Sequence, residues 1–302
     1  MIYTVTFNPS LDYVVSVDGF AAGKLNRTQQ TRVFAGGKGI NVSLVLQNLG
    51  VESRALGFLA GFTGREIERM LREYGCACDF IHLQSGLSRI NMKIKSDSET
   101  EINGEGPVIT DTEFQMLLQQ LDTLQADDTL VLAGSVPKSV PQDAYRLICA
   151  QLSQKRIHFV VDATGALLQN VLPYRPFLIK PNDVELGELF GTTITSDDQI
   201  VTFAKELQKM GAQHVLVSLA GDGALLLTAD GQVLRQCPPR GTVVNSVGAG
   251  DSMVAGFLAG LAHGMDAASA LSLSICAGSA TAFTHWLAGR EEILSLYHAH
   301  MA

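Results

Sequence analysis

The chain has 302 residues, of which 46% are hydrophobic and 17% charged, with 29 glycines; this allows one large α/β domain or two smaller ones. A net charge of −8 without any Lys/Arg cluster argues against nucleic acid as the main partner, and the apolar run at 253–262 is too short and Gly-interrupted to span a membrane. Five scattered cysteines (Cys76, Cys78, Cys149, Cys237, Cys276) read as free thiols in a reducing compartment, which with the mild acidity points to a cytoplasmic protein.

Residues 2–7 alternate and run into Asn8-Pro9-Ser10, a strand followed by a turn, and the stretch lacks the basic start and cleavage site of a signal peptide. Two short strand-like runs follow at 13–17 and 30–34. Gly36-Gly37-Lys38-Gly39 then breaks the chain ahead of an amphipathic helix at 40–49. A strand at 54–59, a helix at 64–74 and a short strand at 79–83 come next. Residues 88–95 alternate polar and apolar, as do 99–102, which predicts a hairpin with one wet face. From there the rhythm is regular: helix 111–124, strand 129–133, helix 141–154, strand 158–162, helix 164–171, strand 177–179 and helix 183–190. Helix 197–210 and strand 214–219 follow, then hairpin-like runs at 224–228 and 232–236, and helices near 250–263, 266–284 and 290–300. Strands alternating with helices predict an α/β fold with a mainly parallel central sheet flanked by helices on both faces. The early segments, approximately 11–35 and 88–105, break that rhythm and predict a small separate sheet. No linker or repeat divides the chain, so 1–302 reads as a single domain.

The unusual residues gather after the strands, where an open parallel sheet binds ligands. Asn8 and Asp12 follow the first strand, Gly134-Ser135-Val136-Pro137 another, and Asp162 ends its own. In Asn245-Ser246-Val247-Gly248-Ala249-Gly250-Asp251-Ser252, the glycines leave N–H groups bare at the start of an uncharged helix, a natural anion site. Asp251 in that first turn either caps the helix or, as a carboxylate beside an anion cradle, takes the proton from a hydroxyl during phosphoryl transfer. Gly36-Gly37-Lys38-Gly39-Ile40-Asn41 is either a tight turn or a wrap around a polyhydroxylated, phosphorylated ligand with Lys38 as a point charge. Neither G-x-x-x-x-G-K-[ST] nor G-x-G-x-x-G occurs. Lys180-Pro181-Asn182-x-x-Glu185 fits a capping box and equally a face that holds Mg²⁺ against nucleotide phosphates. Arg89 and Asn91 share a face with Lys93 and Lys95, and Asn103 and Glu105 flank Gly104 at the end of the partner strand. The seven histidines lack metal spacing, and no Ser/His/Asp or Cys/His set stands out.

Together, Ala35-Gly36-Gly37-Lys38-Gly39-Ile40-Asn41-Val42, the 245–251 segment and Lys180-Pro181-Asn182-x-x-Glu185 resemble the motifs of the PfkB family of carbohydrate kinases, with their ribokinase-like fold. The resemblance covers nearly the whole chain. Asn245-Ser246 departs from the Asp-Thr usual in the family, outside the Gly-Ala-Gly-Asp core. Thr6-Phe7-Asn8-Pro9-Ser10-Leu11-Asp12-Tyr13, Ser88-Arg89-Ile90-Asn91-Met92-Lys93, Thr100-Glu101-Ile102-Asn103-Gly104-Glu105-Gly106-Pro107 and Leu132-Ala133-Gly134-Ser135-Val136-Pro137 are most similar to members acting on a ketohexose phosphate. The resemblance implies ATP-dependent conversion of fructose 1-phosphate to fructose 1,6-bisphosphate, with tagatose 6-phosphate or fructose 6-phosphate as alternative substrates. A non-catalytic sugar-phosphate sensor is the reading from a different class. The resemblance makes Asp251 the base and the amides of Gly248, Ala249 and Gly250 the cradle for the moving phosphoryl group. It gives the sugar phosphate to Asp12, Gly36, Gly37, Lys38, Asn41, Arg89, Asn91 and Asn103. It lays ATP along Lys180, Asn182, Ser218, Gly221, Asp222, Gly223 and Gly250, with Mg²⁺ on Glu185. The small sheet becomes a lid and the contact of a homodimer. A phosphorylated substrate needs cations, and Lys24, Arg27 and Lys138 join Lys38 and Arg89 as candidates.

Overall fold

Short β-rich apolar runs alternate with longer helical repeats, and the computed structural model, which describes residues 1–301, arranges them as three layers. The first part runs β1 (Ile2–Thr6), β2 (Ser10–Ser16), β3 (Gln30–Gly36), α1 (Lys38–Asn48), β4 (Ser53–Ala60), α2 (Gly61–Glu73), β5 (Ala77–Cys78), β6 (Ile81–Leu83), β7 (Arg89–Lys95) and β8 (Glu99–Asn103). The middle comprises α3 (Asp111–Leu121), β9 (Thr129–Ala133), α4 (Ala144–Leu152), β10 (His158–Asp162), α5 (Gly165–Gln169), β11 (Leu178–Ile179), α6 (Asp183–Phe190) and α7 (Asp197–Met210). The last part holds β12 (His214–Ser218), β13 (Ala224–Leu227), β14 (Val233–Gln236), α8 (Ala249–Ala262), α9 (Ala267–Ala282) and α10 (Arg290–Met301).

The main sheet has the order β14-β13-β12-β11-β10-β9-β1-β4-β5, parallel from β12 to β5, with β13 and β14 as an antiparallel edge. Its central strands are buried on both faces, as a parallel sheet between helices requires, while β14 and β5 at the edges are not. In β9, Leu130 and Leu132 enter the core beneath α3 to α7, while Val131 and Ala133 enter the one beneath α1, α2 and α8 to α10. Of the strand expected at 79–83 only β6 forms, because Asp79 and Phe80 step between the pairings of β5 and β6 with successive parts of β4. Helix 141–154 starts only at Ala144, after a turn closed by its N–H on the Pro141 carbonyl, and ends at Leu152 ahead of a short 3₁₀ turn.

The second sheet, β3-β2-β7-β8, is the predicted small one. Directly paired residues share a face, so its rows read off the register. Asp12 pairs with Phe34 and Asn91, and Asn91 with Asn103; the next row joins Val14, Arg32, Lys93 and Glu101. The expectation that the polar face would be the wet one fails. Asn91 and Lys93 are buried towards the main sheet, whereas Ile90, Met92 and Ile102 are exposed on the outer face. Phe34 stacks on Trp286 (centroids 4.7 Å, planes at 14°), and Tyr74 packs on the same indole at 5.3 Å, fastening the small sheet to the body.

Helices α8 and α9 pack through small residues. A β-carbon at Gly256 would stand 2.8 Å from the Leu273 carbonyl oxygen and 2.9 Å from Ala277 Cβ, neither of which can swing away. Alanine usually gains on glycine inside a helix by about 0.5–1 kcal/mol, but forced overpacking costs typically about 1–3 kcal/mol. Gly256→Ala therefore lowers the unfolding free energy measured in urea; a gain would show that the two helices separate freely.

Candidate active site

A cleft of about 1080 Å³ separates the carboxyl edge of the main sheet from the polar face of the small one. It is lined by Asp12, Gly37, Lys38, Asn41, Arg89, Asn91 and Asn103 on one side and by Lys180, Asn182, Glu185, Ser218, Gly221, Asp222 and Gly223 on the other, with Gly248 to Asp251 at its centre. The expected site residues are thus brought together from widely spaced segments. Gly36 is the exception. It is buried behind the wall, and a side chain there would press on Ser10 Oγ and the Asp12 carboxylate, so its smallness gives Asp12 room. Glu105, Lys24, Arg27 and Lys138 are exposed and do not line the cleft.

Local chemistry explains the placement. At the end of β1, Thr6 Oγ1 accepts the N–H of Ile40 at 3.0 Å and ties the strand to the start of α1. Gly37 between them has φ 125°, open to glycine, and a β-carbon would meet Thr6 Cγ2 at 2.7 Å. Gly248 caps α8 with φ 82° and turns the chain so that the first amides of α8 border the cleft. Asp251, the third residue of that helix, is not its cap. Its Oδ2 accepts Asn41 Nδ2 at 2.8 Å. A side chain at Gly250 would lie 3.1 Å from Lys180 Nζ, so glycine there lets the ammonium approach the helix start.

Beneath these groups lies Asp162, which accepts Lys38 Nζ at 3.1 Å on Oδ2 and faces Lys180 Nζ at 3.5 Å with Oδ1. Asp162 is 2% exposed, and the Lys180 side chain 6%. Burial works against the Asp162 charge, but Lys180 and Lys38 outweigh it and hold the carboxyl below the usual aspartate range. Asp251 goes the other way. Burial first, and then the like charge of Asp162, lift it to about 6, against the opposing pull of Lys38, Asn41 and Lys180. Burial also opposes the Lys38 charge, yet Asp162 and Asp251 raise its pKa.

Asn182 and Glu185 form the capping box: Asn182 Oδ1 accepts the Glu185 N–H at 2.7 Å and Glu185 Oε2 the Asn182 N–H at 2.9 Å. Both nevertheless line the cleft, so capping and ligand binding are compatible here. At the end of β12 the 218–223 turn is held from behind, where Arg235 donates to the Asp222 carbonyl at 2.7 Å and pairs with Asp197 at 2.8 Å. Arg89 donates to the Asn8 carbonyl at 3.1 Å, and burial lowers its pKa. Beside it a second cavity of about 390 Å³ shares Gly37, Lys38, Arg89 and Glu185 with the cleft and adds Asn8, Ser135, Asp162 and Thr164. The Oδ1 of Asn8 is buried there without a hydrogen-bond partner. Among the described residues there is no cluster of three His, Cys, Asp or Glu for a metal, and no helix is long and apolar enough to cross a membrane.

Three residues escaped the sequence reading as site residues. Asp162 and Ser135 each stood at a strand end, a signal that marks an edge without naming the residue's partners. Lys93 was visible only as one of several lysines on an alternating strand.

An open α/β sheet whose carboxyl edge carries a helix-borne anion cradle, one buried and one half-exposed lysine and a carboxylate poised near neutrality is built to move an anionic group onto a hydroxyl. The comparisons agree. Residues 5–287 match the model of the pfkB family carbohydrate kinases, and the chain belongs to that family. It is 49% identical to the 1-phosphofructokinase of Bacillus subtilis over 97% of this chain and 96% of the relative. It is 36% identical to the D-tagatose-1-phosphate kinase of Bacillus licheniformis over 95% and 94%. Arabidopsis thaliana ribokinase, solved with ribose and ATP, aligns at TM-score 0.78 and 19% identity over 98% of each chain, showing the ribokinase-like fold. The protein is a carbohydrate kinase, and kinases of this family use ATP.

Removing Asp162 leaves Lys180 buried without its counter-charge, and breaking a buried pair costs about 3–5 kcal/mol. Asp162→Ala should lower the unfolding free energy by that amount in denaturant titrations, whereas a loss below about 1 kcal/mol would mean that water reaches Lys180 as it does Lys38.

Proposed function

We propose that the protein is a single kinase domain that transfers the γ-phosphoryl group of ATP to the 6-hydroxyl of fructose 1-phosphate, giving fructose 1,6-bisphosphate and ADP. The observation that carries this is the placement of Asp251, held by Asn41 at the start of α8 between Lys38 and Lys180. Asp251 takes the hydroxyl hydrogen as the new O–P bond forms and the bond to the ADP oxygen breaks. The amides of Gly248, Ala249 and Gly250 hold the moving group, and Lys180 and Lys38 balance its charge. Lys180, Asn182 and the 218–223 turn hold the nucleotide. Arg89, beside the second cavity, takes the phosphate already on the sugar, since a guanidinium fork matches phosphate oxygens. Asp12, Asn41, Asn91 and Asn103 hold the hydroxyls, Gly37 lets the backbone approach them, and Gly36 gives Asp12 room. Retention of both Asp251 and Glu185 at the cleft weighs against a non-catalytic sensor.

Glu185 fits Mg²⁺, which takes one or two carboxylates besides phosphate oxygens and water; its cap uses only Oε2. Bound there, the ion would shield the phosphates from one another. The exposed Val33, Ile90, Met92 and Ile102 on the outer face of the small sheet support a homodimer through the lid. Five free cysteines support a reducing, cytoplasmic setting. A second reading, tagatose 1-phosphate as substrate, rests on the 36% identical relative of that name and stands beside tagatose 6-phosphate and fructose 6-phosphate as alternatives.

ADP release with fructose 1-phosphate, tagatose 1-phosphate, fructose 6-phosphate and tagatose 6-phosphate tests the reading: the first should be turned over best. A 6-phosphate preferred would reverse the sugar's orientation, and no release with any would restore the sensor. Asp251→Asn should fold normally and lose about 10²–10⁴-fold in turnover; near-normal turnover would reject its role.

A further inference from the structure

Lys93 is a charged residue of the cleft that the reaction proposed above leaves unused. Its side chain is only 10% exposed, yet its nearest charged partners, Asp12 Oδ2 and Glu101 Oε1, stand at 3.6 and 3.7 Å. Both lie beyond hydrogen-bond reach, and the ammonium donates no hydrogen bond among the described residues. The ammonium still reaches the water of the cleft it lines, so a ligand that fills the cleft displaces that water and must bring acceptors for its N–H donors.

The surroundings select the ligand's chemistry. Two carboxylates around one ammonium leave the spot negative, which repels a phosphate and suits neutral hydroxyls. Asp12 is already oriented: its Oδ1 accepts Ser10 Oγ at 2.7 Å and Asn91 Nδ2 at 3.0 Å, which leaves Oδ2 towards Lys93. Asn91 Oδ1 is buried with no donor of its own. An ammonium donor, a carboxylate acceptor and an amide acceptor thus occupy neighbouring rows on the cleft face of the small sheet. Arg89, by contrast, makes no ion pair among the described residues and has only the Asn8 carbonyl as partner, so the phosphate end belongs to it.

We propose that Lys93 is a specificity-determining residue that donates to a ring hydroxyl of the acceptor sugar while Asp12 accepts that hydroxyl's hydrogen. The pair reads the configuration of the hydroxyls rather than the phosphate. This rests on the sugar-phosphate kinase reading above.

The test is steady-state kinetics of Lys93→Met and Lys93→Gln with fructose 1-phosphate and its C4 epimer tagatose 1-phosphate, ATP being varied separately. Lys93→Met should raise KM for the ketose phosphate about 10- to 100-fold, the size of one lost charge-assisted hydrogen bond, and change the ratio of kcat/KM between the epimers. KM for ATP and the melting temperature should stay at the wild-type values, and Lys93→Gln, which keeps a donor, should recover part of the loss. The inference is overturned if KM for fructose 1-phosphate stays within about twofold of wild type. It is overturned equally if both variants melt lower and lose both epimers and ATP alike, the mark of a purely structural lysine. Absence of turnover in the wild-type protein would remove the kinase reading instead. Calorimetric titration of fructose 1-phosphate into the same variants then decides for Lys93: weaker binding to Lys93→Met supports it, and unchanged binding overturns it.

Discussion

The site depends on one buried carboxylate. Asp162 faces Lys38 and Lys180 at once, and without it two ammonium groups would confront each other beside the positive end of α8 before any phosphate arrived. With it, one of the two positive charges is offset in advance, so the protein can bury Lys180. The same charge acts on Asp251, whose burial already disfavours its ionised form. Asp162 therefore does two things through one field: it raises the pKa of Lys38 and pushes the neighbouring carboxyl towards neutrality.

The small sheet solves a different problem with its two faces. Period-two alternation places polar side chains on one side and apolar ones on the other, and the chain turns the polar side inward. That inversion makes sense only because the cleft is polar, and it leaves the apolar side in need of cover. Phe34, on the inner face, stacks on Trp286 in the turn after α9, and the neighbouring Leu287 lies against Gly248. The lid and the anion cradle are thus joined through a short packed path.

Much of this was legible in the sequence. The main sheet could be read because its strands are continuous apolar runs between periodic helices, and β9, β10, α6 and α7 fall at the predicted bounds. The cradle could be read because glycines at 248 and 250 are needed wherever a helix start must stay bare. What could not be read is pairing across distance. Nothing near Asp162 in the chain names Lys38, 124 residues earlier, as its partner. Alternation in β7 shows two faces without saying which is wet, so Lys93 passed for a solvated lysine. Gly36 shared a motif with Gly37, but only the packing behind Asp12 separates their tasks. Asn182 and Glu185 fit two readings by spacing, and the structure shows a capping box that also lines the cleft.

Burial and Asp162 together lift Asp251 to about 6, which suits the proposed role of a base near neutral pH. Stability reads this without interference from substrate phosphates. A carboxyl whose pKa is raised by folding binds its proton more tightly in the folded state. Its contribution is present at low pH and is lost as pH rises through the folded value. The measurement is the urea unfolding free energy of the wild-type protein minus that of Asp251→Asn, followed from about pH 5 to about pH 7. With Asp251 at about 6, this difference falls by about 1 kcal/mol across the window. A difference that stays flat would place Asp251 in the ordinary aspartate range and contradict that value.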